Sequence, residues 1–299
     1  MFYLRLLTRT VLLTTLLAVA APAALAATDD AASADSEAAA GVDVYFEAAP
    51  FVPTPDSIVI EMLELARVGP SDYVIDLGSG DGRIVLTAAR TFGARGFGVE
   101  MDEDLVDLAS RSAQQQGIAD QVRFVQQDLF ALDISDATVV TMYLLPETVN
   151  RLRDKLLEEL EPGSRIVSHD YPIDGWASER SVELEHEDKV AVTGVARTRL
   201  YLYRVPADIA GRWTATLPPG MAEQPVELEF VQRITMVQGR AQIGGQFIPL
   251  DETTLNGRRL TFTLPESGAR FTGWITNGII EGMARSADGS HPWRATRQQ

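Results

Sequence analysis

From Val74 to Ser168, short apolar runs of strand length alternate with longer stretches in which apolar residues return every three or four positions. The runs predict strands near 73–77, 96–100, 122–126, 138–143 and 164–168, and the periodic stretches predict helices near 83–92, 103–116 and 147–161. Leu105, Leu108 and Ala109 mark the buried side of the second of these helices, and Val149, Leu152, Leu156 and Leu160 that of the third. Such alternation implies an α/β fold, a parallel sheet covered on both faces. Ahead of it, Ile58, Val59, Met62, Leu63 and Ala66 recur at helical spacing until Gly69-Pro70, with Thr54 as the expected cap and Pro55 as the first helical residue. Beyond it, Val182, Leu184 and then Val190 to Val205 read as two long strands joined near Glu187-Asp188-Lys189.

From Ala207 onward no helical period survives. Val226-Leu228-Phe230, Leu260-Phe262-Leu264 and Phe271-Gly273-Ile275 alternate with polar neighbours, and Asn256-Gly257, Asn277-Gly278 and Asp288-Gly289 supply turns. A smaller antiparallel β domain over 207–299 follows, a curled sheet or barrel, in which Trp213, Trp274 and Trp293 are expected mainly as core. At the other end, Arg5 and Arg9 precede the apolar Val11 to Ala21 and then Ala24-Leu25-Ala26, the plan of a signal peptide over 1–26. An exported protein, periplasmic or secreted, is the expectation. The alternative is a membrane anchor, disfavoured by Pro22 and by an apolar run shorter than the ~20 residues of a span. Residues 27–42, rich in Ala, Ser, Asp and Glu, read as a disordered linker. That leaves 43–206 for the α/β domain.

Charge narrows the partners. The 299 residues carry 42 acidic and 26 basic side chains, a formal charge of −16. This excess argues against nucleic acid and anionic membrane, whose contacts are driven by Lys and Arg, and suits a cationic substrate. Membrane association is left to the N-terminal segment alone. With no cysteine and no HxxxH spacing, neither a disulfide framework nor a metal site is expected.

The chemistry gathers at Val74-Ile75-Asp76-Leu77-Gly78-Ser79-Gly80-Asp81-Gly82-Arg83. An apolar strand ends in an acid, three alternate glycines follow, and then a helix begins, so that backbone N–H groups can approach a ligand closely. The dinucleotide fingerprint GxGxxG would place a glycine where Arg83 stands. Asp76 and Asp81 would repel a phosphate, whereas S-adenosylmethionine (SAM) offers an ammonium and a sulfonium. Glu100, closing the second strand, suits two ribose hydroxyls, and Asp128, after Val122-Arg123-Phe124-Val125, suits an adenine amino group. A plain tight turn would leave the three acids at successive strand ends unexplained.

DLGSGDGR, with GVE and QDLF, resembles the class I SAM-dependent methyltransferases. The resemblance implies a Rossmann-like seven-strand sheet and cofactor roles for Asp76, Gly78, Gly80, Gly82, Glu100 and Asp128. PFVPTP, the segment Met142 to Pro146 and the segment Ile166 to Asp170 add a closer resemblance, covering Pro50 to about Pro206. It is to the protein-lysine methyltransferases that include the enzymes of the adenine nucleotide translocase and the ATP synthase c-subunit. It implies methyl transfer to a lysine side chain of a protein and places Thr54 over the cofactor. Tyr143, after the fourth strand, is then the ring facing the substrate or a lid on the core. His169 is a candidate proton acceptor, and Asp170 would orient it or attract the cation. Adjacent residues of a strand face opposite ways, so His169 and Asp170 share a cleft only where the strand has ended. The leader suggests an alternative, an exported module that binds SAM or a nucleoside without turnover.

Overall fold

The computed structural model describes residues 51–298 except 188, 191–193 and 223. The expected leader and linker lie outside the described residues. Helix α1 (Asp56–Leu65) leads into β1 (Tyr73–Leu77), α2 (Arg83–Phe92), β2 (Arg95–Glu100), α3 (Glu103–Gln115), β3 (Val122–Gln126), β4 (Val139–Met142), α4 (Pro146–Glu159) and β5 (Arg165–His169). Strands β6 (Arg180–Glu185) and β7 (Arg197–Arg204) complete a seven-stranded sheet of order β3-β2-β1-β4-β5-β7-β6. β1 to β5 run parallel, and β7 enters antiparallel between β5 and β6. Strand order reverses at β1, so the glycine turn after β1 opens at the crevice where such sheets bind ligands.

Two elements differ from the sequence expectation. Thr54 does not cap α1: Pro55 takes the N-cap place with extended angles, and no side chain bonds the first-turn N–H groups. Displaced one residue outward, the Thr54 hydroxyl points instead at His169. On α3 the buried residues are Ala109 and Ala113, whereas Leu108 is exposed. The reason is closeness: a Cβ on Gly82 would come within 2.7 Å of the Ala109 methyl, an approach that larger side chains forbid. On α4, Val149, Leu152 and Leu156 are buried as the pattern required, and so is Leu160 at its C-cap.

The rest of the chain is β8 (Gly211–Thr216), β9 (Val226–Arg233), β10 (Met236–Ile243), β11 (Gln246–Pro249), β12 (Asp251–Asn256), β13 (Arg259–Leu264), β14 (Ala269–Thr276), β15 (Ile279–Ser286) and β16 (Gly289–Arg297). These form a nine-stranded antiparallel sheet of order β11-β10-β9-β8-β16-β15-β14-β13-β12. The sheet curls until β12 lies near β10, and one face gathers Trp213, Phe230, Phe262, Phe271 and Trp293 into a single core. Trp274 departs from the expectation for the three tryptophans and is 55% exposed. Asn277 and Gly278 both have positive φ, which makes the tight β14–β15 turn possible without splaying the strands.

The two sheets meet through backbone and arginine. Ala207 N–H donates to the Gly257 carbonyl at 2.8 Å, and Arg258 bonds the Pro162 carbonyl and the Glu161 carboxylate. Ile234, at the β9–β10 turn, leans on the core of the first sheet with φ of 54°, a conformation costly for a β-branched residue. Gln232 donates to its carbonyl and to that of Ala207, holding the turn there.

Candidate active site

The glycine turn is built in layers. Gly78, Gly80 and Gly82 all have positive φ. A Cβ on Gly78 would lie 2.7 Å from Leu144, and one on Gly80 would drive into the ring of Phe51. Gly82 differs from the other two. Its absent Cβ makes room for Ala109 and the Phe124 ring, both at 2.7 Å, so it serves the packing of α2 against α3 and β3 and not the cleft. Gly78 and Ser79 spend their N–H groups on the Val99 carbonyl, which ties the turn to β2. The Ser79 hydroxyl is buried with no hydrogen-bond partner.

The acids divide by environment. Asp76 is 2% exposed, and burial lifts its pKa to about 7, with the charges of Glu100 and Asp81 adding to the rise. Its Oδ1 accepts a hydrogen bond from Thr141 Oγ at 2.7 Å, which opposes that rise. Asp81 is held by Arg83 through Nε at 2.9 Å and Nη2 at 2.6 Å. The phosphate-repelling role expected of Asp81 is therefore largely offset by its neighbour. Glu100 Oε1 accepts from the N–H groups of Met101 and Asp102, and Oε2 accepts from Gly80 N–H at 2.9 Å. Each carboxylate oxygen has two lone pairs, so Oε2 keeps capacity for a hydroxyl. Asp128 is exposed after β3, with Oδ1 accepting from Phe130 N–H and so fixed in direction.

The strand-end problem at β5 is resolved by the backbone. The strand stops at His169, and Asp170 turns into the left-handed region with φ of 62°. His169 is fully buried: its Nδ1 lies 3.3 Å from Thr54 Oγ and its Nε2 2.7 Å from Thr198 Oγ. Burial pushes its pKa down to about 4, so the ring is neutral near pH 7. Contrary to the expectation from sequence, His169 is not exposed to take a proton from an incoming amine. It supports Tyr143, whose ring lies against it with centroids 3.9 Å apart and planes 31° from parallel. Burial raises the Tyr143 pKa well above its ordinary value, reinforced by the Asp170 charge.

Asp170 already holds a cation. Lys189 Nζ donates to Asp170 Oδ2 at 2.6 Å and to the Arg197 carbonyl at 2.9 Å, with its side chain almost wholly buried. Thr198 Oγ and Arg199 N–H donate to Asp170 Oδ1. Burial alone would raise the Asp170 pKa, but the Lys189 hydrogen bond, the neighbouring His169 and these donors hold it below the ordinary carboxylate range. Its predicted attraction for a substrate cation is met from within the chain.

Thr54 is 4% exposed, with its hydroxyl at His169 and its carbonyl accepting from Arg83 Nη1 at 2.8 Å. It fastens the segment before α1 onto the glycine turn, and Phe51, four-tenths or more exposed above Gly80, is the residue of that segment that reaches the turn. Sequence reasoning missed Phe51, Thr141, Thr198 and Lys189. A signal existed for Lys189, one of two lysines among the 26 basic residues, and for Thr141, polar within the otherwise apolar β4.

The residues present fit SAM at the turn. Asp76 lies at the end of β1, Glu100 and Asp128 stand at and just beyond the ends of β2 and β3, the buried Ser79 hydroxyl has no partner, and the room that Gly78 and Gly80 leave is lined by Leu144 and by the half-exposed ring of Phe51. Among known proteins, the family model of the ANTKMT methyltransferase domain matches residues 76–180. A protein-lysine N-methyltransferase of Saccharolobus islandicus is 42% identical over 142 residues, 47% of this chain and 88% of that protein. The adenine nucleotide translocase lysine N-methyltransferase of Mus musculus is 35% identical over 156 residues; the match covers 52% of this chain and 63% of that relative's length. A crystal structure of an RNA methyltransferase from Salinibacter ruber with S-adenosyl-L-homocysteine is 46% identical. It covers 57% of this chain and all of that one, with a TM-score of 0.48.

Proposed function

We propose, from the premise that this chain belongs to the ANTKMT methyltransferase-domain family, that it transfers a methyl group from SAM to the amine of a protein lysine. The observation that carries this reading is the carboxyl edge of the sheet. A left-handed glycine turn follows the strand of a buried carboxyl, Asp76, and next to that strand an aromatic ring, Tyr143, is braced from behind by a neutral, buried histidine. Relatives named for lysine methylation, at 42% and 35% identity, support it.

SAM, when bound, supplies an activated methyl carbon, so no covalent nucleophile is required of the protein. Asp76 would hold its ammonium, Gly78 and Gly80 would admit it, and Glu100 and Asp128 would hold the ribose and adenine. The chain's remaining task is to bring a neutral amine into line and keep the site dry. Tyr143 offers a flat, rigid wall for that amine, and Leu144 beside it excludes water. His169 is enclosed and Asp170 is kept ionised by Lys189, so neither is placed as general base. The acceptor therefore loses its proton to water before it enters. At saturating SAM the rate should rise with pH toward the lysine pKa of ~10.4, without an inflection near the ordinary histidine value. A plateau beginning near pH 6.5 would instead return His169 to a proton-transfer role.

The direct test is titration of the purified protein with SAM and S-adenosyl-L-homocysteine, then mass spectrometry of a protein extract incubated with SAM. The chain's own two lysines, Lys155 and Lys189, leave little self-signal to confuse the reading. Methyl-lysine in an added protein supports the proposal. Tight binding with no methylated product supports the non-catalytic module, and no binding of either ligand removes both.

We also infer export, from the charged, apolar and small-residue order of residues 1–26. An alkaline phosphatase fusion at Val42 should be active in cells. An inactive fusion would place the site with the cytoplasmic pool of SAM.

A further inference from the structure

The outer face of the nine-stranded sheet carries a cavity of about 470 Å³ lined by Arg259, Arg270, Thr272, Trp274, Met283 and Arg285. Its register is informative. Arg270 and Arg285 stand directly opposite each other on β14 and β15, and Arg259 stands opposite Trp274 on β13 and β14. Like charges in directly opposed positions destabilise an antiparallel pair. Among the described residues none of the three arginines forms a salt bridge, although neighbours on the same sheet do: Arg294 pairs with Glu281, Arg240 with Glu229 and Arg297 with Asp208. In a chain with 42 acidic side chains, three guanidiniums lining one cavity with an exposed tryptophan and an exposed methionine are a local exception to the charge of the whole, and the one acid opposite Trp274, Glu281, is paired with Arg294.

We propose that this face is a docking site for an extended acidic segment of a protein partner. Charge complementarity selects the sign, and the spacing selects the form. Arg270 and Trp274 lie four residues apart on one strand, a separation of about 14 Å at ~3.4 Å per residue. A single small anion cannot reach from the Arg270–Arg285 pair to Arg259. An extended peptide can, because its own residues i and i+4 lie on one face at the same separation. The complementary pattern is acid, any residue, apolar, any residue, acid. One carboxylate meets the Arg270–Arg285 pair, the central apolar side chain lies level with Thr272 and Met283, and the other carboxylate meets Arg259, level with Trp274. Guanidinium suits this task because it grips carboxylate through two parallel N–H donors.

The test uses the purified protein and a peptide with glutamates at i and i+4 around a leucine at i+2, read by the fluorescence of Trp274 with Trp274→Phe as the blank. Trp176, Trp213 and Trp293 are buried, so the response reports this face. Binding should weaken at least tenfold when the glutamates are moved to adjacent positions, and should weaken with added salt. Arg270→Glu separates function from fold. It turns a like-charged pair into an opposite one, so thermal stability should rise while peptide binding falls at least tenfold. Equal binding of the two peptides overturns the proposal. So does a response to anionic vesicles or inorganic phosphate with the peptides inert. No SAM is needed for the measurement, so its failure leaves methyl transfer standing, and failure of methyl transfer leaves the docking site standing.

Discussion

With its carboxyl enclosed and its pKa lifted to about 7, Asp76 costs the fold stability whenever it is ionised. The ordinary value is 3.8, so between about pH 4 and 7 the folded chain holds a proton that the unfolded chain has lost. Its contribution to stability is thus full in acid and is lost as pH rises through 7. Asp76→Asn keeps an oxygen for the Thr141 hydroxyl and removes the charge. At pH 8 the ligand-free variant should be more stable than the parent by up to about 4 kcal/mol, the rise of about three pKa units taken at 1.36 kcal/mol each, by thermal melting. SAM affinity, by calorimetry, should fall at least tenfold. A variant that loses stability at pH 8 would show that Asp76 is a structural residue. The same scale separates the three glycines: each is legible as a turn residue, but the neighbours that would collide with a side chain come from distant β4, the segment before α1, and α3.

Helix α2 begins at a left-handed residue, Gly82, without a side-chain cap, and ends at another, Gly93. Its placement is fixed by packing, since Ile84, Val85, Leu86, Ala88 and Ala89 are buried against neighbours on several sides. Gly82→Ala imposes two penalties, a left-handed backbone without glycine and an overlap with Ala109 and Phe124. The expected loss is about 2–4 kcal/mol in urea denaturation. Saturating SAM should not restore it, because the overlap is with α3 and β3 and not with the cleft. Recovery of parental stability with ligand would move Gly82 into the binding surface. The elements themselves were readable from hydrophobic period: the helices expected at 83–92, 103–116 and 147–161 form at Arg83–Phe92, Glu103–Gln115 and Pro146–Glu159. The misplaced buried face of α3 shows where period stops informing. It places apolar residues on a side but does not say how near the next layer lies.

Across the whole molecule, acid should act through His169, the most enclosed titratable ring of the site. Its folded pKa of about 4 lies below the ordinary 6.5, so as pH falls below 6.5 the unfolded chain takes up a proton first. Stability is then lost progressively toward pH 4, while Asp76 contributes in the opposite sense over much of that range. Global unfolding measured from pH 8 to 4 should therefore be nearly flat in the parent and fall steadily with acid in Asp76→Asn. A flat profile in that variant would mean that water or rearrangement reaches His169. Opening it would disturb the junction of the segment before α1, β5 and β7, which its hydrogen bonds to Thr54 and Thr198 span. The sequence by itself determined the α/β alternation, the glycine turn, the acids at strand ends and the change to β structure after Pro206, because period, turn chemistry and charge are local properties. Only the tertiary structure decided that Thr54 and His169 meet across 115 residues, that Lys189 neutralises Asp170, and that Arg270 faces Arg285. Those pairings depend on strand order and register, which bring remote positions within a hydrogen bond and leave no periodic trace in the chain.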